Sequence, residues 1–442
     1  MIANIVHTSL NSCGGSELVA IATMQMLLKM GFDIDLTTFE KPNLVQIKRA
    51  YTEGAAATIE RIRLIRPLQP IANLVNANNK NYHYDLTINT HGDMLPYFLP
   101  NLSKSNTITY CHFPLVNYLI DSKDPEYTRN LIKMNHNMIY GNGHYHCSID
   151  TNSINSNIYL QSAKIVYNRM MTNSTLLTNS EYSRKAILKT FGIDSIVLSP
   201  PVDVDTFRNR VLLSSSSHSY NNNEKRDIIL VIARFNPSKK IENAIKLARF
   251  LKQNKVGDRM KIVGNLANDY LGYYLYLRQM VENYDLSDYV KFETNVPFDR
   301  LLALMGESKV YFHTLPGEPF GISTVEAMSA GLIPVAPDIG GHTEFVPLKY
   351  QFHTFREAVE SVASALNASY SERLYISDLV RKYSLQNYME QFNQIVEEIL
   401  RTAPEKDNKQ EQMNKNNKID GAIAPATVHS RNNLLVNKKN NV

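Results

Sequence analysis

The sequence predicts an α/β protein made of two doubly wound domains, and three observations lead there. A strand, a glycine loop, a helix and a second strand follow one another at the start of the chain, which is how a parallel sheet begins. A second series of the same kind starts at Ile228. Between the two, Leu198-Ser199-Pro200-Pro201 interrupts regular structure, and two successive prolines suit an extended connector. At 442 residues the chain has room for two or three domains of roughly 100–200 residues.

The elements follow in order. Ile2–Leu10 is an apolar run fit for a buried strand, and Asn11–Ser16 holds the pair Gly14-Gly15. A helix is expected over Glu17–Met30, closed by Gly31, and Phe32–Phe39 reads as the next strand with Ile34 and Leu36 on one face. Tyr84–Asn89 and Thr107–Cys111 continue the sheet. Residues 141–162 are polar and read as an insertion or long loop. A helix is expected over Lys164–Leu177, and another over Glu181–Thr190 with Ser180 as its N-cap. Leu212–Arg226, rich in serine and asparagine, reads as a surface loop. The second series has strands at Ile228–Ala233, Lys261–Val263, Val290–Glu293, Val310–His313 and Ile333–Ala336, with a helix over Lys240–Gln253. Ser384–Leu400 places Leu385, Tyr388, Met389, Phe392, Ile395, Val396 and Ile399 on one helical stripe. The expected divisions are a first domain at 1–200, a second at 201–382, a helix at 383–401 and a disordered tail at 402–442, which lacks the apolar content to fold.

Composition excludes several classes. The net charge is +5, but residues 402–442 hold seven Lys/Arg against four Asp/Glu, so the body is nearly neutral and no nucleic-acid partner is expected. No apolar run approaches the ~18 residues of a membrane span, and Met1–Leu10 lacks the basic region of a signal peptide. Cys13, Cys111 and Cys147 are too few and scattered for a disulfide framework or zinc site. A reduced, cytoplasmic protein is expected. Arg61, Arg63 and Arg66 lie among Ile59, Ile62, Leu64 and Ile65, a basic-apolar helix suited to peripheral contact with an anionic membrane. The weightier alternative packs its apolar face on the sheet and leaves the arginines in water.

Two such domains leave a cleft where the C-terminal ends of both sheets face a shared ligand. Gly14-Gly15 follows the first strand without the third glycine of a dinucleotide fingerprint, so it suits close backbone approach to an anion or simply a tight turn. Arg234 ends a strand and Lys239 lies at the entrance of the next helix, a compact clamp for a diphosphate or a solvated basic turn. The segment from Phe312 to Met328 is the most informative. Glu318 ends a loop, Gly321-Ile322-Ser323-Thr324 opens a helix with free N–H groups, and Glu326 sits inside that helix among Val325, Ala327 and Met328. An unpaired carboxylate there would be costly, and a ligand diol would satisfy it; the alternative for these glutamates is a helix cap plus an internal salt bridge.

At this point the residues resemble a known family. Glu318-Pro-Phe-Gly-Ile-Ser-Thr-Val-Glu326 is similar to the Glu-x7-Glu motif of the retaining family 4 glycosyltransferases, which have the two-domain GT-B fold. Arg234 to Lys239 resembles their Arg-x4-Lys element, with Lys240 standing where many members carry glycine. Gly14-Gly15-Ser16-Glu17 resembles their N-terminal glycine loop, and Thr178–Ser183 and Pro200–Asp203 their interdomain segments. Tyr110-Cys111-His112-Phe113-Pro114, and the stretch from His313-Thr314 to Gly340-Gly341, look closest to the cytosol-facing mannosyltransferases that extend lipid-linked oligosaccharides. The likeness implies two Rossmann-like domains facing across a cleft, with the terminal helix returning to the first.

The same likeness implies roles. Arg234 and Lys239 would neutralise the diphosphate of a GDP- or UDP-sugar donor, with Gly14, Gly15 and Gly321–Thr324 supplying backbone donors. Glu326 would bind the ribose and Glu318 the hydroxyls of the transferred hexose, mannose by the closer likeness. His112 would contact the donor sugar near a glycan or polyprenyl-linked acceptor, or else merely cap its strand. His91 is a weaker acceptor-side candidate. No metal or other cofactor is expected, because Asp203-Val204-Asp205 lies in the connector, away from the phosphate residues. The alternatives are a nucleotide-sugar epimerase of the same architecture and a non-catalytic nucleotide-sugar-binding module.

Overall fold

Short apolar runs, buried on both faces, assemble into two separate all-parallel sheets. The computed structural model describes residues 1–51, 53–68, 84–92, 106–122, 154–213 and 227–401. The first sheet contains β1 (Ile2–Val6), β2 (Asp33–Thr38), β3 (Leu64–Pro67), β4 (Leu86–Asn89), β5 (Asn106–Tyr110), β6 (Thr175–Thr178) and β7 (Ile196–Val197), in the order β3-β2-β1-β4-β5-β6-β7. The second contains β8 (Ile228–Ile232), β9 (Arg259–Gly264), β10 (Val290–Thr294), β11 (Val310–Phe312), β12 (Ile333–Pro337) and β13 (Gln351–Phe352), in the order β10-β9-β8-β11-β12-β13. Each order reverses direction once, between β1 and β4 and between β8 and β11. A crevice for ligand opens at such switch points, outside the carboxyl ends of the strands.

The central strands hold this arrangement. In β1, Ala3 lies opposite Ile34 of β2 and Leu86 of β4, and Ala3–Val6 are all buried. Asn4 is buried among them and accepts a hydrogen bond from the Thr37 hydroxyl at 2.8 Å, which offsets part of its desolvation. The second sheet is buried by the amphipathic helices Glu242–Gln253 and Phe355–Leu366, the latter started by a Thr354–Glu357 capping box.

Four expectations change. β3, β6, β7 and β13 are two to four residues long and escaped notice, because such runs carry too little periodicity. The helix expected over Lys164–Leu177 is instead Ile154–Thr172, starting inside the polar stretch; Leu176 and Leu177 are buried in β6, where pairing with β5 outweighs helix propensity. Arg61, Arg63 and Arg66 do not share a helix: the helix Glu53–Glu60 ends before Arg61, Arg63 lies in the connection that follows, and Arg66 is in the edge strand β3. Arg63 reaches the fully buried Asp35 with two hydrogen bonds at 2.8 and 2.9 Å, and Arg66 joins it at 3.3 Å. Finally, Lys240 precedes its helix, which begins at Glu242 after a tight turn over Pro237–Lys239. The loop expected over 212–226 and the tail at 402–442 lie, but for Leu212 and Leu213, outside the described residues, as do Cys147 and residues 141–153.

Met1–Gln394 form one compact unit. Its final segment begins the helix 385–401, whose last seven residues belong to a second unit. Within the first unit, the chain leaves the second sheet at a parallel bridge between Val202 and Ser384 and returns to the first. Tyr388, Met389 and Phe392 are buried, and the Tyr388 hydroxyl lies 2.8 Å from the Thr23 hydroxyl on the helix Gly15–Lys29. Loss of that contact is expected to loosen the whole unit. Tyr388→Ala should destabilise by about 3–5 kcal/mol, as for other large buried aromatics. Tyr388→Phe should cost about 1–3 kcal/mol, because the Thr23 hydroxyl is left buried without its partner. Urea denaturation checks both; a midpoint unchanged in either variant contradicts this account.

Candidate functional site

The loops that follow β1, β4, β5, β8 and β11 bring most of the singled-out residues to one crevice. Gly14-Gly15 follows β1 and starts the helix Gly15–Lys29. A Cβ on Gly15 would stand 2.5 Å from Ile322 Cδ1, and one on Gly14 would stand 2.8 Å from Glu17 Oε2 and 3.5 Å from Arg234 Nη1. The glycine pair therefore permits backbone of the first sheet to touch the second sheet's basic loop and helix start.

On the second sheet, Arg234 leaves β8 exposed, with no ion-pair partner among the described residues. Asn236 caps the turn Pro237–Lys239 by accepting the Ser238 N–H at 2.8 Å. Lys240 then adopts a φ of +49°, the left-handed conformation that favours glycine, so the residue where relatives carry glycine bears local strain. The turn is tied to the loop after β11: the Thr314 hydroxyl donates to Lys239 O at 2.6 Å, and Asn243 donates to Thr314 O at 3.0 Å. This brings Lys239 Nζ to 2.7 Å from Glu318 Oε2. The two are mutually paired, as the salt-bridge alternative anticipated for the glutamates.

Gly321, at φ +98°, turns the chain into the helix Ile322–Ser329. Thr324 already donates its N–H to Gly321 O at 3.0 Å, so it is withdrawn from the expected set of backbone donors. The N–H groups of Ile322 and Ser323 remain without a partner among the described residues, at the positive end of that helix. Glu326 is partly buried with no hydrogen-bond partner among them, and burial pushes its carboxyl up to about 7.

The first sheet contributes histidines. His112, after β5, lies with Nε2 3.0 Å from the Thr90 carbonyl. A carbonyl only accepts, so Nε2 carries the proton, and with burial lowering its pKa to about 4 the ring is neutral with Nδ1 unprotonated. Asn179 and the Ser183 hydroxyl donate to the His112 carbonyl at 2.9 and 3.0 Å, contacts that fit the strand-capping alternative. His91, after β4, approaches the Thr8 hydroxyl at 3.1 Å and is held to about 3 by burial and by His7.

Sequence reading passed over the supports of these groups. Glu17 accepts the Gly14 N–H at 2.8 Å, which withdraws Gly14 from the expected backbone donors and leaves Gly15, and it lies 3.6 Å from His7 Nε2. Burial alone would raise its pKa, but the neighbouring His7 and the backbone N–H donors bring it to about 2. His7 Nδ1 lies 2.9 Å from the Thr90 hydroxyl, so one buried chain of contacts links the glycine loop to the residue that holds His112. His313 and His342 are buried behind Glu318, their rings 4.9 Å apart, and both are shifted towards the neutral form by burial. His7 and Glu17 were visible as polar residues flanking the glycine loop; Tyr51, which donates to Gly14 O at 2.6 Å, left no comparable signal.

Comparison with known proteins follows this geometry. Residues 215–381 match the family described as Glycosyl transferases group 1. The GDP-Man:Man(3)GlcNAc(2)-PP-Dol alpha-1,2-mannosyltransferase of Dictyostelium discoideum is 26% identical over 281 residues, covering 56% of this chain and 54% of that protein. The Homo sapiens protein of the same name is 25% identical over 281 residues, covering 56% and 55%. The chain therefore spans about half the length of these relatives. Among solved structures, a glycosyltransferase from Rickettsia africae aligns with a TM-score of 0.59 at 14% identity, covering 90% of this chain and 98% of that one. Anabaena HepE in complex with UDP aligns with a TM-score of 0.60 at 15% identity, covering 90% and 100%. These identities carry the fold alone, two Rossmann-like parallel sheets of GT-B type. Among the described residues, no helix is long and apolar enough to cross a membrane.

The elevated Glu326 pKa has a consequence for stability. Between about 4.5 and 7 the folded protein keeps a proton that the unfolded chain has released. The contribution of this group is therefore complete below pH 4.5 and declines as pH rises through 7. Glu326→Gln, neutral throughout, should gain stability relative to the unsubstituted protein between pH 5 and pH 8. Urea midpoints at those two values check this, and a constant difference between the two proteins contradicts it.

Proposed function

We propose that the protein, whose residues 215–381 match the Glycosyl transferases group 1 family on a GT-B fold, is a retaining family 4 glycosyltransferase. It moves mannose from GDP-mannose to a lipid-linked oligosaccharide. The observation that carries the reading is the convergence of Arg234, Lys239, Glu318, Glu326 and the free N–H groups of Ile322 and Ser323 opposite the Gly14-Gly15 loop. The names of the curated relatives support the donor and the acceptor, and the UDP complex of a fold neighbour supports nucleotide-sugar binding.

The chemistry follows from where charge develops. Breaking the sugar–phosphate bond leaves a negative diphosphate and an oxocarbenium-like sugar. Arg234 is already free to meet the diphosphate. Lys239 is held beside it by Glu318, and a bound donor would share that cation between carboxylate and phosphate. The N–H groups of Ile322 and Ser323 add fixed dipoles that need no reorganisation during the reaction, so the reading requires no metal ion. Glu326 has a carboxyl in search of partners, and the two hydroxyls of a ribose supply them. Glu318 orients the sugar hydroxyls, and His112 offers an unprotonated Nδ1 on the acceptor side, with His91 behind it. The departing phosphate takes the acceptor proton on the same face, so no protein nucleophile is assigned.

An acceptor on a polyprenyl anchor would bring a cytoplasmic enzyme to a membrane surface. The exposed Leu64 and Ile65 of β3, beside Arg61, are the surface we assign to peripheral contact.

A thermal-shift panel of GDP, UDP and ADP tests the donor, since a ligand that binds only the folded state raises stability by mass action. GDP should give the largest shift, and a larger shift with UDP or ADP would overturn the GDP-mannose reading. Lys239→Ala should lower transfer by about a hundredfold, on the order of 3 kcal/mol of leaving-group stabilisation, with native circular dichroism. Undiminished transfer by that variant would remove Lys239 from the clamp.

A further inference from the structure

The Gly14-Gly15 backbone passes close to Arg234 and Ile322, and glycines have the widest backbone freedom. Something else must hold them. The Gly14 N–H is held by Glu17 Oε2, and Glu17 in turn by the buried His7. The Gly14 carbonyl accepts the Leu18 N–H at 3.1 Å, the first bond of the helix. Those contacts are local to β1 and the helix start. The remaining one comes from 37 residues away: the Tyr51 hydroxyl donates to Gly14 O at 2.6 Å. Tyr51 ends the helix Leu44–Ala50, where its own N–H donates to Ile47 O at 2.9 Å. Its ring is partly buried, within electrostatic reach of Arg234 and Glu326.

We propose that Tyr51 is a positioning residue of the donor site: by holding the Gly14 carbonyl, its hydroxyl fixes the Gly14–Gly15 peptide plane, and so the Gly15 N–H that faces the leaving diphosphate. The inference rests on the donor-site reading for its catalytic consequence and on geometry alone for the positioning. It adds to the site a residue that touches no substrate. It also explains why a phenol from a distant helix reaches a backbone carbonyl whose helical bond is already made.

Tyr51→Phe removes only the hydroxyl. Amide hydrogen exchange of the full chain without ligand, read by mass spectrometry, should be at least about fivefold faster across residues 13–18, with the rest of the first sheet unchanged, because the loop opens locally. Unchanged exchange there overturns the proposal whatever the substrate. With GDP-mannose and a lipid-linked oligosaccharide, kcat for GDP release should fall about tenfold while KM for GDP-mannose stays within about twofold, since the lost interaction acts in the transition state. Faster exchange with unaltered kcat would make Tyr51 merely structural and also overturns it. Failure of the unsubstituted protein to release GDP would instead defeat the donor reading, and the exchange result then decides the positioning claim by itself.

Discussion

Everything at the crevice depends on the close approach of one backbone to another domain's side chains. Were Gly15 any other residue, its Cβ would lie 2.5 Å from Ile322 Cδ1. The tip of the Ile322 side chain, on the residue that starts the helix bearing Glu326, would have to turn away. The same approach sets Arg234 against Gly14. A polyanion bound there would be enclosed by groups from both sheets, in a low-dielectric setting where each charge counts for more than in water.

The charged groups divide by their partners. Asp35, fully buried, is matched by Arg63, Arg66 and the Tyr84 hydroxyl at 3.0 Å, and Arg373 is matched by the carbonyls of Lys309 and Gly331. These networks are satisfied within the protein and serve its architecture. At the crevice the matching is incomplete. Arg234 has no ion pair among the described residues, Glu326 has no hydrogen bond, and Lys239 has only the partly buried Glu318. Unmatched charged groups of both signs gathered in one crevice mark it as a candidate ligand site.

The two sheets are also joined behind the crevice. The Ser180 hydroxyl donates to Pro319 O at 2.6 Å, the Tyr182 N–H donates to Glu344 at 2.9 Å, and the rings of Phe113 and Tyr182 stack. Ser180 also caps the helix Glu181–Phe191, so a helix start on the first sheet is fixed to the loop that carries Glu318. With Tyr388 against Thr23, these contacts join the two sheets through helix starts and loops rather than through the strands themselves.

By itself the sequence determined the α/β class, the central strands of both sheets and the Ser180 cap, and it singled out the candidate residues from Gly14 to Glu326. These are local properties: apolar runs, helical stripes, caps and short motifs are written in neighbouring residues. What only the tertiary structure decided is longer in range. Leu176 and Leu177 join a strand because β5 is there to pair with, and Arg63 and Arg66 turn inward because Asp35 is buried beside them. Glu318 and Lys239, 79 residues apart, meet because Thr314 ties their loops together. Tyr51 reaches Gly14, and His7 reaches Thr90, because strands distant in the chain are adjacent in the sheet. Such partnerships depend on sheet order, which neither periodicity nor motif encodes until the strands are packed.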